Sequence, residues 1–163
     1  MEAKAVTAAD GSQTLVSGGS GGGSPLDTAK APGLPCPGPA FLTVAAVVDF
    51  ELTLSMPARL TADAGVDALT HPVEANVSRK VNPFSDGLVL NAIRTIGRHL
   101  RRVCADGRDI ESREAMVLAA TQAGIAFSNS NVALVHGVSR PIGAHFHIAH
   151  GLSNAMLFPA VTA

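Results

Sequence analysis

The chain has 163 residues, 47% of them hydrophobic and 15% charged, a balance that can bury one sizeable core and excludes an intrinsically disordered chain. Its formal net charge is −1 with lysine and arginine scattered, which leaves no electrostatic footprint for nucleic acid or an anionic membrane. The longest apolar stretch, residues 40–48, is far too short to span a bilayer, and no charged-then-apolar leader opens the chain. Cys36 and Cys104 lie far apart without metal-like spacing and read as reduced thiols, so the expected compartment is the cytoplasm.

The first part, up to about Gly38, is rich in glycine, serine and proline, including a Gly/Ser run over residues 17–24 and Pro32, Pro35, Pro37 and Pro39. Within it, residues 21–30 (Gly-Gly-Gly-Ser-Pro-Leu-Asp-Thr-Ala-Lys) have the pattern of a loop feeding a helix. Ser24 suits the N-cap, Pro25 the first helical position and Asp27 the place of a capping-box acid. Backbone N–H groups of such a loop can hold a pyrophosphate at a helix N-terminus. The stretch does not follow G-x-G-x-x-G, and residues 17–24 alone would read as a flexible linker. The Pro25 to Lys30 continuation favours phosphate binding.

Residues 41–48 read as a buried strand, followed by an acidic turn at Asp49 and Glu51. After Pro57 the pattern becomes helical. A first helix is expected over residues 61–77. A second follows Asn82-Pro83, with Leu88, Ala92, Ile93, Ile96, Leu100 and Val103 at three-to-four spacing, and stops near Asp106-Gly107. Its basic run, Arg98, Arg101 and Arg102, reads as a solvated face. A third helix spans about 111–127, a fourth about 132–139 before Pro141, and a last one starts near Gly151 and is interrupted by Pro159. The outline is a small α/β piece followed by an all-helical region.

The clearest chemistry lies at Asp67 and His71, which share one helix face at i and i+4. Asp-x-x-x-His recurs by chance, and a lone helical histidine is more often a core or surface residue. Four of the six histidines, however, fall from His136 to His150, and such clusters rarely serve packing. A helix end, a turn at Pro141-Ile142-Gly143 and a new helix start would let His136 and His150 converge. One carboxylate and three imidazoles suit Fe²⁺ or Zn²⁺, with room for a substrate oxygen.

Taken together, these stretches resemble the iron-containing (group III) alcohol dehydrogenases. The matching pieces, in the family's order, are residues 21–30, 49–57, 60–74, 82–86, 113–129 and 135–159. The resemblance implies a mainly α chain: a helical metal-binding domain over residues 58–163, preceded over residues 1–57 by a short remnant of an α/β dinucleotide-binding domain. It places the metal ligands on Asp67, His71, His136 and His150, and the cofactor pyrophosphate at Gly21, Gly22, Gly23, Ser24, Asp27 and Lys30. The implied reaction is reversible hydride transfer between a small alcohol or aldehyde and NAD(H) or NADP(H). The ion would be Fe²⁺, with Zn²⁺ as the alternative, acting as a Lewis acid on the substrate oxygen.

Departures from the family's pattern are expected to matter. The cofactor domain's opening strands and its Gly-Thr-Gly-Ser-type segment have no counterpart, and only residues 31–46 fill that interval. Helices beyond Pro159 are also missing, so the chain is expected to be truncated, with an internal deletion and an incomplete C-terminus. Pro72 disfavours helical geometry at His71 and costs on the order of 3 kcal/mol. Arg140 stands where the family has a further histidine, and a fixed cation there disfavours a nearby metal ion. Phe50 replaces a proline, and His145 and His147 are extra imidazoles. Exposed edges favour self-association into a homo-oligomer. Two competing readings are a catalytically inactive metal-binding fragment and a zinc-dependent relative akin to glycerol dehydrogenase or dehydroquinate synthase.

Overall fold

The computed structural model describes residues 4–7, 13–16 and 47–163. Two short strands, β1 (Lys4–Thr7) and β2 (Gln13–Val16), pair antiparallel with Lys4 opposite Val16 and Thr7 opposite Gln13. The Gly/Ser/Pro-rich composition gave no sign of this pair. The expected cofactor loop at residues 21–30 and most of the expected strand at 41–48 lie outside the described residues. Val47 and Val48, at that strand's end, are in no strand and are 80% and 49% exposed, so its tail is neither extended in a sheet nor buried.

The acidic turn forms as read. Asp49 caps a 3-10 turn over Phe50–Thr53 by accepting the Glu51 N–H at 2.9 Å, and the Thr53 hydroxyl closes it on the Phe50 carbonyl at 2.7 Å. Five α-helices follow among the described residues: α1 (Ala58–Val77), α2 (Pro83–Ala105), α3 (Ile110–Ser130), α4 (Leu134–Phe146) and α5 (His150–Thr162). The chain is therefore mainly helical, as expected. None of these helices is long and apolar enough to cross a membrane.

Helices α2 and α3 start where their caps dictate. Asn82 accepts the Ser85 N–H, while the Ser85 hydroxyl receives the Asn82 N–H, with Pro83 in the first turn. Asp109 does the same work for α3 through Ser112. Each helix then buries one stripe: Val89, Ala92, Ile96 and Val103 on α2, and Met116, Ala119, Ala123 and Ala126 on α3. These close on α1 in two apolar clusters, one around Ala68, Ile96, Val103, Met116 and Ala119, the other around Ala75, Val89 and Ala126. The basic run of α2 faces solvent, as expected.

The three-helix layer is tied at both ends by polar contacts. At one end the buried Arg113 guanidinium donates to the Gly107 carbonyl at 2.8 Å, to Thr61 Oγ1 at 3.1 Å and to the Met56 carbonyl at 3.4 Å. At the other end the Ser78 hydroxyl donates to the Ser130 carbonyl, and Asn82 donates to the Asn129 carbonyl at 3.2 Å. Helices α4 and α5 pack on each other, and α5 lies against α1. That approach requires glycine: a Cβ on Gly151 would sit 2.9 Å from the Asp63 carbonyl oxygen, a backbone atom that cannot swing aside.

Two prolines correct the expected boundaries, and a third lies inside a helix as expected. Helix α1 runs unbroken through Pro72, α4 continues through Pro141 to Phe146, and α5 continues through Pro159. Pro141 and Pro159 are exposed, so neither ring has to be packed into the helix bundle. The connection between α4 and α5 accordingly lies beyond the expected turn at residues 141–143. It falls at His147, in the left-handed conformation (φ 52°), and the two residues after it.

Pro72 is different, because its ring is fully buried in α1. Alanine at that position would restore the hydrogen bond to the Ala68 carbonyl and remove the ring clash, worth about 3 kcal/mol. It would also unbury two methylenes, worth about 1.6 kcal/mol. Pro72→Ala is therefore expected to stabilise the protein by about 1 kcal/mol, seen as a rise of a few degrees in the circular dichroism melting midpoint. A fall in the midpoint would show that packing of the ring outweighs the lost hydrogen bond.

Candidate metal centre

One face of α1 presents Asp67, His71 and Glu74, a quarter-turn stripe at i, i+4 and i+7. The first turn of α4 brings His136 over it, and the first two turns of α5 bring His150 and Asn154. Asp67 Oδ1 then lies 3.5 Å from His136 Nε2, 3.8 Å from His150 Nε2 and 3.8 Å from His71 Nδ1. Asp67, His71 and His136 offer donor atoms that all lie within 4.8 Å of one another. The imidazoles are tilted on each other, with ring centroids 4.4 Å apart for His71 and His136 and 5.3 Å for His136 and His150. Phe127 of α3 stacks on the far side of His71 at 4.6 Å. His150, with 49% of its side chain exposed, forms the open rim.

Hydrogen bonds set which ring nitrogen faces the cluster. A carbonyl can only accept, so His71 donates from Nδ1 to the Asp67 carbonyl at 2.9 Å and keeps its Nε2 lone pair. His136 Nδ1 lies 2.5 Å from Glu74 Oε2, which leaves its Nε2 lone pair toward Asp67. Asn154, fully buried, points its amide nitrogen at Asp67 Oδ1 (2.6 Å), His136 Nε2 (3.1 Å) and His150 Nε2 (3.1 Å). That nitrogen carries two hydrogens, so with both imidazoles neutral and protonated on Nδ1 it faces three acceptors and one lone pair has no proton to meet. The amide oxygen of the same side chain is buried without a partner. A site where lone pairs outnumber hydrogens, built from one carboxylate and three imidazoles, fits a divalent cation of borderline hardness.

Electrostatics point the same way. Burial would raise the Asp67 pKa, but the bond with His136, the fields of His71 and His150 and the Asn154 amide hold it at about 2. Burial pushes His71 down to about 4 against the attraction of Asp67. His136 is also pushed down by burial, yet Asp67 and Glu74 on either side of its ring win and raise it. Burial lowers His150, and neighbouring His136 and Arg140 add to that effect. Burial works against Glu74 ionisation, but hydrogen bonds from His136 and the backbone at the start of α4 keep its carboxyl below its ordinary value.

Asp67, His71 and His136 thus come together as read from the sequence, with His150 at their edge. His145 and His147 are exposed and belong to no ligand cluster among the described residues. Arg140 is also exposed, and reaches the cluster only through its unfavourable field on His150. Glu74 and Asn154 were not singled out from the sequence. Each had a signal: Glu74 continues the Asp67/His71 stripe by one turn, and Asn154 lies at i+4 from His150.

The family description "Fe-containing alcohol dehydrogenase family, C-terminal" matches residues 61–163. The long-chain-alcohol dehydrogenase 1 of Geobacillus thermodenitrificans is 52% identical over 121 residues, which cover 74% of this chain and 31% of that protein. The NAD-dependent methanol dehydrogenase of Bacillus methanolicus is 37% identical over 137 residues, covering 84% and 36% respectively. Among solved structures, a 1,3-propanediol oxidoreductase superposes with a TM-score of 0.68 at 43% identity, over 69% of this chain and 30% of that one. The iron-containing alcohol dehydrogenase of Thermotoga maritima gives 0.65 at 36% identity, over 70% and 31%. The chain spans about a third of the length of these relatives.

The buried charges make stability depend on pH with a defined sign. His71 has a folded pKa of about 4 against 6.5, so its contribution is present above pH 6.5 and is lost as pH falls toward 4, a swing of roughly 3 kcal/mol. Asp67, at about 2 against 3.8, loses its contribution below that. His136 is raised, so its contribution is present below 6.5 and lost as pH climbs through its folded value. Chelator-treated protein should therefore be most stable between pH 6.5 and the raised folded value of His136, and its melting midpoint should fall steeply from pH 6.5 to pH 4. A flat midpoint across that interval would contradict the buried, neutral His71.

Proposed function

The chain belongs to the Fe-containing alcohol dehydrogenase family, and on that footing we propose that its helical region is the metal-holding half of a dehydrogenase site. The ligands are Asp67, His71, His136 and His150, the ion Fe²⁺ with Zn²⁺ as the alternative. The reaction is reversible hydride transfer between a small alcohol or aldehyde and NAD(H) or NADP(H). The carrying observation is the convergence of Asp67 Oδ1, His136 Nε2 and His150 Nε2 on one point, all within 3.1 Å of the Asn154 amide nitrogen. In the proposed division, residues 58–163 form the metal-binding domain and residues 1–57 the cofactor side, with Gly21, Gly22, Gly23, Ser24, Asp27 and Lys30 at the pyrophosphate.

When bound, the ion would polarise the alcohol or carbonyl oxygen as a Lewis acid. The protein's own groups prepare for that. Asp67 stays ionised to about pH 2 and supplies the single negative charge of the set. His71 stays neutral down to about pH 4, so its lone pair is available throughout the physiological range. Phe127 covers one side of His71 and keeps water off it, whereas half-exposed His150 leaves the opposite side open, where a small substrate would enter.

A second reading, metal binding without turnover, is favoured by one observation: the ligand cluster lies wholly within helices of residues 58–163. The proposed setting is the cytoplasm, consistent with the free thiol of Cys104. The exposed apolar side chains Leu90, Leu118 and Ile125 on α2 and α3 support self-association.

Anaerobic titration of the full chain with Fe²⁺ is expected to show one ion per chain. Asp67→Asn should weaken binding by more than the roughly 10–100-fold typical of outer-shell partners. The loaded protein is then mixed with NADH and a short aldehyde, and absorbance is followed. Turnover supports the dehydrogenase reading. Stoichiometric metal without NADH affinity supports the second, and failure to bind any divalent ion would sink both.

A further inference from the structure

We propose that Glu74 is the positioning residue of this metal centre: its carboxylate caps α4 from outside that helix and keeps the ring hydrogen of His136 on Nδ1, so that Nε2 faces Asp67. The inference rests on the metal-site reading and adds a residue to it.

Helix α4 has no cap of its own. Its N-cap residue is Ala133, and no side chain of the flanking segment hydrogen-bonds its first turn. An uncapped first turn leaves N–H groups that must find partners elsewhere or remain unpaired in a buried place. Glu74 reaches across from α1 to provide one. Oε1 accepts the Val135 N–H at 2.5 Å, and Oε2 lies 2.5 Å from His136 Nδ1. The two bonded groups are adjacent in sequence and fully buried, as is Glu74 at 3% exposure.

The geometry couples the two jobs. Helix α4 leans mainly on α5 and touches α1 only slightly, so these two hydrogen bonds are the main polar tie between His136 and the helix that carries Asp67 and His71. An ionised carboxylate has no hydrogen to give, so the hydrogen between Glu74 and His136 must sit on Nδ1, and in the neutral ring the opposite nitrogen is an acceptor. This is the carboxylate–histidine pairing that orients imidazole ligands and sets their tautomer. At Nε2 the Asn154 amide nitrogen, a donor, favours the same tautomer, whereas the ionised Asp67 carboxylate favours the opposite one, so Glu74 decides between them. The negative charge also lies beside the positive end of the α4 dipole, which stabilises both.

Glu74→Gln separates the roles. The variant keeps the side-chain volume but has one acceptor oxygen. The Val135 N–H claims that oxygen, and the amide NH₂ then donates to Nδ1, driving the ring hydrogen to Nε2. The test uses ¹⁵N-histidine NMR of the full chain, metal-free and at a pH where the ring is neutral, with competition titrations of Co²⁺ and Zn²⁺ against a chelator. Expected results are the Nδ1–H form of His136 in the parent, the Nε2–H form in Glu74→Gln, unchanged helicity, and metal affinity about 10–100-fold weaker.

An unchanged tautomer in the variant, with or without weaker binding, would reduce Glu74 to a structural contact and overturn the proposal. If Glu74→Gln fails to fold, the parent spectrum decides, since a parent with its hydrogen on Nε2 contradicts the proposal outright. If the parent binds no metal, the metal-site reading falls. The tautomer comparison still judges Glu74 separately.

Discussion

A carboxylate held largely away from water on the flank of α1 organises half of this molecule. Asp67 retains only 17% of its side-chain exposure, and a buried charge is tolerated only when other groups replace its hydration. The replacements come from three helices: an imidazole one turn along α1, an imidazole from α4, and an imidazole and an amide from α5. Apart from His71, none of those partners can arrive unless α4 and α5 fold back onto α1. Gly151, pressed against the Asp63 backbone, and the hydroxyl pair of Ser139 and Ser153 at 2.7 Å are what let them settle there.

This arrangement divides the domain into two jobs that share α1. One side of α1 faces α2 and α3 through small and aliphatic side chains and supplies the hydrophobic stabilisation. Another side faces α4 and α5 through polar side chains joined by hydrogen bonds, with the Asn154 amide oxygen left unpaired. Phe127 joins the two, packing with the second apolar cluster and stacking on His71. A polar layer of this sort contributes little net stability, because desolvation consumes most of what the bonds return. It contributes a defined geometry, which is what a metal ligand set requires.

Family membership and local geometry support each other here without overlapping. The family match rests on residues 61–163, and every proposed ligand lies inside that span. The chain nevertheless spans about a third of the relatives' length. The dehydrogenase chemistry therefore stands as a proposal for the chain, while the fold of its helical region and the clustering of Asp67, His71 and His136 are direct observations.

Much of this was legible in one dimension. The helix start after Asn82-Pro83, the three-to-four spacing along α2, and the i, i+4 pairing of Asp67 with His71 are local properties, and a helix converts spacing into a shared face by its period alone. The prolines misled for a physical reason. A proline removes one hydrogen bond and adds a clash, a penalty of about 3 kcal/mol, and at Pro141 and Pro159 packing along the helix outweighs it, as it does at Pro72 inside the expected first helix. Glu74 and Asn154 were beyond local reading because their roles exist only between helices. Sequence determined which side chains could be ligands and which face of α1 would carry them; the tertiary structure decided that His136 and His150 meet that face, that Glu74 holds one of them in place, and that Asn154 sits at the focus. Those pairings join residues 60 or more positions apart, and only the packing of α4 and α5 against α1 brings them within hydrogen-bond distance.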